Sequence, residues 1–165
     1  MKSRFDDYIQ LYNADLTRLC ISLCGDKSEA EDLLQDTWLK ALKNYKKYDV
    51  TKPFDKWLFS ICVNTYKNNI KSAFFSKRKC FQNEEEERLF FSSIEDITPD
   101  NREDYLELHK AIRSLSKKHR TVIVLYYFKD YSIKDISQIL NISAGTVKSR
   151  LSTARSHIKR RFTNE

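Results

Sequence analysis

Two short stripes of apolar residues, separated by a sharp break, constrain the fold more than any other part of this sequence. They lie within residues 131–161 and recur every three or four positions, which is the spacing of one face of an α-helix. The first stripe consists of Ile133, Ile136 and Leu140, and the second of Val147, Leu151, Ala154 and Ile158. We predict that Asn141 ends the first helix in the left-handed conformation, that Ile142 fills the gap between the helices, and that Ser143 caps the second. The segment is therefore predicted to form helix, tight turn, helix.

The second of these helices carries short polar and basic side chains on the face opposite its apolar stripe. This face comprises Lys148, Ser149, Ser152, Arg155, Lys159 and Arg160. Side chains of this kind reach base edges and phosphates when a helix enters the major groove of DNA. The alternative is an ordinary helical hairpin with a solvated basic face. Because the turn residues and the positive charge occur together, the sequence favours DNA binding.

Glycine and proline are scarce, with two of each among 165 residues, while 41% of the residues are apolar. A chain with so few turn formers is predicted to be all-α. Its net charge is +7, yet residues 83–104 hold nine acidic and only two basic residues. We therefore predict two small helical domains, a three-helix unit (residues 1–80) and a four-helix unit (residues 105–165), joined by a flexible acidic linker (residues 81–104). Basic domains on both sides of the linker indicate a polyanion bound at two places.

The sequence lacks the residues that metal binding, catalysis or membrane insertion would require. The four cysteines have no close-paired metal-binding spacing and the three histidines lie far from them in sequence, so neither a metal nor another cofactor is expected. No nucleophile–base pair or phosphate-binding loop is recognisable, so no catalytic residue is expected. No apolar run approaches the length of a membrane span and no signal peptide opens the chain, which predicts a cytoplasmic protein. Cys20 and Cys24 fall on an apolar helix face and are predicted to be buried and reduced.

The first domain is predicted to begin with two amphipathic helices. One runs from Phe5 to Gly25, and a capping box of Ser28 and Glu31 is predicted to open the next, whose buried stripe includes Leu42. The opposite face of this second helix carries Glu29, Asp32, Gln35 and Asp36. Such a patch suits an Arg-rich protein surface, but acids at a helix start are also favoured by the helix dipole alone. Spacing alone favours the second interpretation.

A third helix is predicted to begin at Pro53. The face opposite its buried stripe mixes cations and amides without any acid. This face comprises Lys56, Ser60, Val63, Asn64, Lys67, Asn68 and Lys71. A helix face that only keeps a protein soluble more often carries both signs of charge, so we interpret this one as a surface for phosphates and bases. Residues 74–81 add aromatic and basic side chains, which suits either unstacked bases or a helix end that packs its phenylalanines inward.

The second domain is predicted to place two more helices before the helix-turn-helix. One starts at Tyr105 and the next spans Lys118 to Tyr131. The pair of DNA-reading helices is too small to form a core alone, so these two are expected to pack against it. The acidic linker before them is predicted either to fold back on the basic domains or to mimic nucleic acid, and the sequence supports both.

Three longer motifs follow one another along the chain. They are SEAEDLLQDTWLKALKNYKKYD, FDKWLFSICVNTYKN and LSKKHRTVIVLYYFKDYSIKDISQILNISAGTVKSRLSTARSHI. In this order and separation they closely resemble bacterial sigma factors of the extracytoplasmic-function (ECF) group, and the resemblance covers nearly the whole chain. It implies a two-domain sigma factor with regions 2 and 4 only, which directs core RNA polymerase to promoters and has no catalysis of its own.

The resemblance also assigns residues to partners. In the family, the DLLQD-type segment docks on the clamp helices of the polymerase β′ subunit, and the β flap is a second polymerase partner. The following helix melts and reads the -10 promoter element as a single strand, with Trp57 as a core wedge, and the helix-turn-helix reads the -35 element as a duplex. The implied core-polymerase residues are Asp32, Leu33, Gln35 and Asp36. The implied -10 residues are Lys56, Asn64, Lys67, Asn68 and Lys71, and the implied -35 residues are Thr146, Lys148, Ser149, Arg150, Ser152, Thr153 and Arg155.

The family further implies a regulator. A cognate anti-sigma factor, in the family often membrane-anchored, is expected to hold the protein inactive by covering its polymerase-binding and DNA-binding faces, including the patch from Leu33 to Asp36. The protein itself is expected to be a monomer. Lys71 and Lys148 stand where many family members carry arginine, and lysine lacks the bidentate fork of arginine, so the promoter contacts are expected to differ from those of relatives.

Two other classes of protein make different predictions. A conventional activator would act as a dimer, bind duplex DNA tightly without polymerase and recognise a palindrome. A helical adaptor would use its basic faces for acidic protein partners and show no steep salt dependence towards DNA. A sigma factor predicts two unlike promoter elements and little specific DNA binding when alone.

Overall fold

The computed structural model describes residues 4–72 and 102–163, which form helices and turns with no strand among them. The first domain contains α1 (Arg4–Leu23), α2 (Lys27–Asn44), a short 3-10 turn (Tyr45–Lys47) and α3 (Phe54–Ser72). The second contains α4 (Arg102–Ser114), α5 (Lys117–Ile123), a π-helical turn (Val124–Phe128), α6 (Ile133–Leu140) and α7 (Ala144–Thr163). The all-α prediction is confirmed over these residues. The segment 74–81 and the predicted linker 81–104, apart from the first residues of α4, lie outside them.

Aromatic side chains hold the first domain together where α1, α2 and α3 meet. Tyr8 and Phe54 stack in parallel with ring centroids 3.9 Å apart, and Phe5 meets the Trp38 ring edge-on at 5.9 Å. Trp57 is half-buried and packs against Phe54 with centroids 5.4 Å apart, as expected of a core wedge. Such ring pairs stabilise a domain beyond the area that they bury.

Two details of α2 differ from the prediction. The helix starts two residues earlier than a Ser28 cap would allow, because the Asp26 carboxylate accepts a hydrogen bond of 2.9 Å from the Ser28 backbone N–H. The buried residues of α2 are Ala30, Leu33, Thr37 and Ala41. Leu42, predicted to be buried, is instead 56% exposed because one residue beyond Ala41 is a rotation of about 100° away from that stripe.

The thiols of the first domain are buried, which confirms the prediction for Cys20 and Cys24. The Cys20 sulfur lies 3.8 Å from the Cys62 sulfur and both thiols are free. The hydrogen bond between them, together with burial, raises the pKa of Cys20 well above its usual value. A protonated thiol is a poor nucleophile, so the pair serves as packing between α1 and α3.

The turn between α6 and α7 forms as predicted. Asn141 has φ 53° and ψ 50°, which is the left-handed conformation, and its backbone N–H donates to the Ser137 carbonyl. The Ser143 hydroxyl accepts a hydrogen bond of 3.1 Å from the Thr146 N–H and so caps α7. Ile142 is half-buried and packs against the core. These local contacts fix the direction in which α7 leaves the turn.

The fifth helix is shorter than predicted. Instead of one helix from Lys118 to Tyr131, α5 gives way to a π-helical turn over Val124–Phe128. Asp130 then takes a left-handed φ of 54°, which an acidic side chain tolerates better than most, and the helix cannot continue through it. The wider π turn shifts the following residues around the helix axis and directs Lys129 and Tyr131 towards the first domain.

The two domains pack against each other. Helix α3 contacts α6, and α1 contacts both α5 and the π-helical turn. Buried residues of both domains, among them Leu58, Phe59, Tyr131 and Ile136, belong to one apolar cluster. The described parts of the chain therefore share a continuous core, although the sequence pattern alone predicts two separate ones.

Candidate functional site

The outward face of α7 carries the first group of predicted contact residues. Its exposed members are Lys148, Ser149, Ser152 and Thr153. They lie opposite the buried stripe of α7, in the turns that follow the cap at Ser143. A helix presented in this way fits the major groove with its first turns towards the bases.

Two other predicted residues of α7, Thr146 and Arg155, already form side-chain hydrogen bonds within the protein, and a third, Arg150, is partly buried. The Thr146 hydroxyl lies 2.8 Å from the Ser143 hydroxyl and takes part in the cap. Arg150 is half-buried on one flank of the helix. On the other flank, Arg155 Nε donates to the Tyr127 hydroxyl at 2.6 Å, and its guanidinium lies 5.5 Å from the centre of that ring. Thr146 and the exposed Arg155 therefore hold the helix in this conformation, whereas Lys148, Ser149, Ser152 and Thr153 face solvent and can reach a ligand.

The predicted nucleic-acid face of α3 is partly open and partly covered. Asn64 and Asn68 are exposed. Val63, which the sequence pattern places on the same face, is fully buried, one helical turn after Phe59, whose ring lies 6.2 Å from the Tyr131 ring of the second domain. Lys71 falls in the last turn of α3, where the side chains lie outside the described part of the structure.

The two described cations of this face lie against the second domain. Lys56 Nζ is 2.9 Å from the Oδ1 atom of Asp135 in α6. The pKa of Lys67 is lowered mainly by burial and, to a smaller extent, by the positive charge of Arg150 in α7. Two groups assigned to different promoter elements, Lys67 on α3 and Arg150 on α7, therefore approach each other in the closed arrangement of the domains.

The predicted polymerase-binding residues lie on the outer side of α2, with one exception. Asp32 and Gln35 are exposed and Asp36 is half-buried. Leu33 is 2% exposed and belongs to the core of the first domain. It therefore supports this surface from beneath and does not reach a partner directly.

The structure adds two leucines to this surface. Leu39 and Leu42 are each 56% exposed and follow Gln35 by four and seven residues, which places all three on one face of α2. An exposed apolar patch bordered by acids and an amide is typical of a surface that binds another protein. The helical spacing of Leu39 and Leu42 from Gln35 could have predicted that all three residues share the outer face of α2. The sequence pattern instead predicted a buried Leu42, because its side chain is apolar.

The sequence pattern assigns no role to Arg120, yet this buried side chain connects the two domains. Its guanidinium is buried and donates to five acceptors at 2.6–3.4 Å. They are the carbonyl oxygens of Leu23, Ile112, Arg113 and Leu115 and the hydroxyl of Tyr66. The carbonyls lie at the C-terminal ends of α1 and α4, where the helix dipoles favour a cation. Arg120 thus caps one helix of each domain at once.

An apolar groove opens on the second domain between α4, α5 and α7. It has a volume of about 420 Å³ and is lined by Leu108, Ile112, Ile123, Tyr127 and Ile158, with Arg155 and Lys159 at its rim. Leu108 and Tyr127 are 36% and 52% exposed. The groove therefore offers an apolar floor beside two cations.

The candidate site thus consists of surfaces on α2, α3 and α7 together with this groove. Within residues 4–72 and 102–163, no three His, Cys, Asp or Glu side chains lie close enough together to hold a metal ion. None of the helices in that part of the chain is both long and apolar enough to cross a membrane.

Both domains match known families. Residues 8–73 match the family model of sigma-70 region 2, and residues 105–158 match that of sigma-70 region 4. The first match spans α1 to α3 and the second spans α4 to α7. The order of the two regions is the order that the sequence motifs predict.

Whole-chain relatives agree with this assignment. The chain is 30% identical to the ECF RNA polymerase sigma factor SigW of Bacillus subtilis over 96% of its own length and 88% of the relative. It is also 30% identical to SigM of the same organism, covering 93% and 92% of the two chains. The fold resembles that of the sigma factor RpoE in complex with the anti-sigma factor NepR from Bartonella quintana, with a TM-score of 0.71, 24% identity and 94% of both chains covered. The chain therefore belongs to the ECF group of the sigma-70 family of RNA polymerase sigma factors.

Proposed function

We propose that this sigma factor joins core RNA polymerase through the outer face of α2. The polymerase stripe, as we call this face, consists of Asp32, Gln35, Asp36, Leu39 and Leu42. Exposed leucines within a rim of acids and amides match the usual composition of a protein interface, with an apolar centre and a polar border. The clamp helices of the β′ subunit are the partner that the family resemblance implies. Leu33 holds the stripe in place from the core.

Helix α3 supplies the contacts to the -10 element. The exposed amides of Asn64 and Asn68 offer hydrogen bonds to bases of a separated strand, and Lys56 and Lys67 offer charge to its phosphates. Flipping a base out of the duplex costs a few kcal/mol, which polymerase binding and these contacts together offset. Lys71, which the family resemblance assigns to the same element, belongs to the last turn of α3.

Helix α7 reads the -35 element in the major groove. Lys148, Ser149, Ser152 and Thr153 are exposed along one surface and suit base edges and phosphates. Arg150 and Arg155 lie on its two flanks, where the phosphate backbones run beside an inserted helix. Thr146 keeps the N-terminus of α7 capped.

The apolar groove of the second domain provides a second place for polymerase. A short apolar helix with acidic neighbours fits a groove that has Leu108 and Ile158 in its lining and two cations at its rim. The β flap is the polymerase element that the family resemblance implies here. Arg155 would then contact either this partner or DNA, depending on which is bound.

Regulation by an anti-sigma factor fits the same surfaces. RpoE, which shares the fold, was crystallised with an anti-sigma factor. A regulator that covers the polymerase stripe of this chain would exclude polymerase by direct competition. An anti-sigma factor that binds the Asp32→Ala and Gln35→Ala variants as tightly as the wild type would contradict this placement.

One observation carries the proposal. A single chain presents two helices suited to nucleic acid, one in each domain, together with an exposed acidic and apolar stripe on α2. A dimeric activator needs one DNA-reading helix per subunit and no polymerase stripe. The protein therefore acts in the cytoplasm as a non-enzymatic subunit, and nucleotide addition belongs to the polymerase.

In vitro transcription on a pool of genomic promoter fragments tests the proposal. We expect core polymerase to start at new sites only when the protein is added, and those sites to share two unlike motifs at a fixed spacing. Unchanged transcription, alongside tight and specific duplex binding by the protein alone, would instead establish the activator.

A further inference from the structure

The second domain covers one side of the α3 face that we assign to promoter DNA, next to Lys56 and Lys67, while Asn64 and Asn68 stay exposed. Phe59 and Val63 are buried there, one helical turn apart, between the cations Lys56 and Lys67. The Phe59 ring lies 6.2 Å from the Tyr131 ring of the second domain. Because the same face cannot meet both α6 and a DNA strand, the closed arrangement and promoter binding compete.

Polar contacts join the domains at one point of this face. Lys56 pairs with Asp135 at 2.9 Å, and the Tyr131 hydroxyl donates to the Oδ2 atom of Asp55 at 3.0 Å. Asp55 and Lys56 are neighbours in the first turn of α3, and Tyr131 and Asp135 flank the start of α6. One ion pair and one hydrogen bond from a neutral hydroxyl to a carboxylate thus lie side by side across the contact.

Lys129 adds a third connection. Its amine donates to the Asp15 carbonyl at 3.1 Å and lies 4.7 Å from the centre of the Phe59 ring. The π-helical turn places this side chain between α1 and α3. The second domain therefore contacts the first through two successive features, the π-helical turn and the start of α6.

We propose that these contacts form an interdomain latch that keeps the free protein closed and withholds Lys56 from promoter DNA until polymerase is bound. The latch consists of Asp15, Asp55, Lys56, Lys129, Tyr131 and Asp135. The Asp135 carboxylate takes the place of a DNA phosphate at Lys56. This inference rests on the proposed function, because it supplies the reason why such a subunit binds promoter DNA weakly when alone.

The ion pair of the latch is partly exposed to solvent. The side chains of Lys56 and Asp135 are 40% and 23% exposed, and ion pairs with that much solvent contribute little individually. The approach of Lys67 to Arg150 opposes closure, because like charges repel. Opening also requires the buried Arg120 guanidinium to release Leu23 and Tyr66 of the first domain. A partner that binds only the open form, such as polymerase on the α2 stripe, must therefore supply the free energy for both steps.

Two variants test the latch from its two sides. Asp135→Asn combined with Tyr131→Phe removes the negative charge opposite Lys56 and the hydroxyl donor opposite Asp55, with little change in volume. Asp55→Asn replaces the carboxylate that accepts from the Tyr131 hydroxyl with a neutral amide, which weakens this hydrogen bond from the side of the first domain. The matched control is Asp130→Asn, which deletes the same charge from an exposed position where asparagine tolerates the left-handed backbone.

Small-angle X-ray scattering and the fluorescence anisotropy of a labelled single-stranded oligonucleotide of mixed sequence provide the readouts. We expect both latch variants to have a larger radius of gyration than the wild type. The double variant is expected to bind the oligonucleotide about five- to tenfold more tightly, because the apparent affinity rises with the open fraction. Asp130→Asn is expected to match the wild type in both measurements.

An unchanged radius and an unchanged affinity in the double variant would overturn the latch. If circular dichroism shows that the double variant is unfolded, the same two measurements on Asp55→Asn decide the question. Transcription by the wild type with core polymerase separates the two proposals. If the wild type produces promoter-specific transcripts but the latch variants change neither the radius of gyration nor the oligonucleotide affinity, only the latch is contradicted. If the wild type produces no such transcripts, the proposed function itself is contradicted.

Discussion

Replacing Arg120 with alanine is expected to lower the free energy of unfolding by about 4 kcal/mol, close to the upper end for a single substitution. The substitution leaves four buried or partly buried carbonyl oxygens and the Tyr66 hydroxyl without the hydrogen-bond donor that they have in the wild type. Each unsatisfied buried group costs about 1–3 kcal/mol, although such costs do not add fully. Burial already raises the pKa of Tyr66 to about 12, which shows how poorly water reaches this point. Urea denaturation followed by circular dichroism measures the change.

Lys118→Ala on the same helix is the matched control for Arg120→Ala. Lys118 is exposed, so its replacement is expected to change the unfolding free energy by less than about 0.5 kcal/mol. Because Arg120 caps helices of both domains, its loss should also separate their unfolding into two transitions. Equal midpoints for the two variants, with a single transition in both, would show that the guanidinium does not fasten the domains.

Replacing Leu42 with aspartate is expected to weaken binding to core polymerase by at least about tenfold while leaving the fold intact. The side chain is 56% exposed in the free protein, so a charge there meets water and not the core. In the complex it would lie in the apolar centre of the interface, where truncating or charging a central contact commonly costs about 2 kcal/mol or more. Transcription at limiting protein concentration should fall in proportion.

Leu11→Asp is the control for this variant. Leu11 is 68% exposed on α1, outside the polymerase stripe, and the substitution adds the same charge. Transcription is expected to stay at the wild-type level. A comparable loss in both variants would point to a general effect of charge, and no loss in either would remove the stripe from the interface.

The helix-turn-helix was predictable because its determinants are local. Asn141 and Ser143 act on backbone groups within four residues of themselves, so their roles follow from residue type and spacing. The exposure of Ser149 and Ser152 follows from the same periodicity, since the apolar stripe of α7 fixes which face is outward. Sequence analysis therefore identified this element and its outward residues together.

Burial on α2 and α3 was less predictable because it depends on what packs against each helix. Leu42 is apolar yet exposed, since no element of the first domain lies on that side of α2. Val63 lies among polar residues yet is fully buried, because α3 is packed on more than one side, against α1 and α2 and against α6 of the second domain. Neither outcome can be deduced from the periodicity of one helix, which identifies faces but not their partners.

Contacts between the domains were not predictable at all from local pattern. Lys56 and Asp135 are 79 residues apart in sequence, and Arg120 and Leu23 are 97 apart. The charge of Lys56 suggested a nucleic-acid contact, and nothing in its neighbourhood indicated a carboxylate partner from another domain. The interdomain latch therefore emerges only from the three-dimensional arrangement.

A titration of labelled protein with core RNA polymerase, in the absence of DNA, tests the central claim most directly. The account predicts a saturable complex for the wild type and for Leu11→Asp, and a dissociation constant at least about tenfold higher for Leu42→Asp. Failure of the wild type to bind core polymerase, or equal binding by all three proteins, would contradict the account of α2 as the polymerase surface.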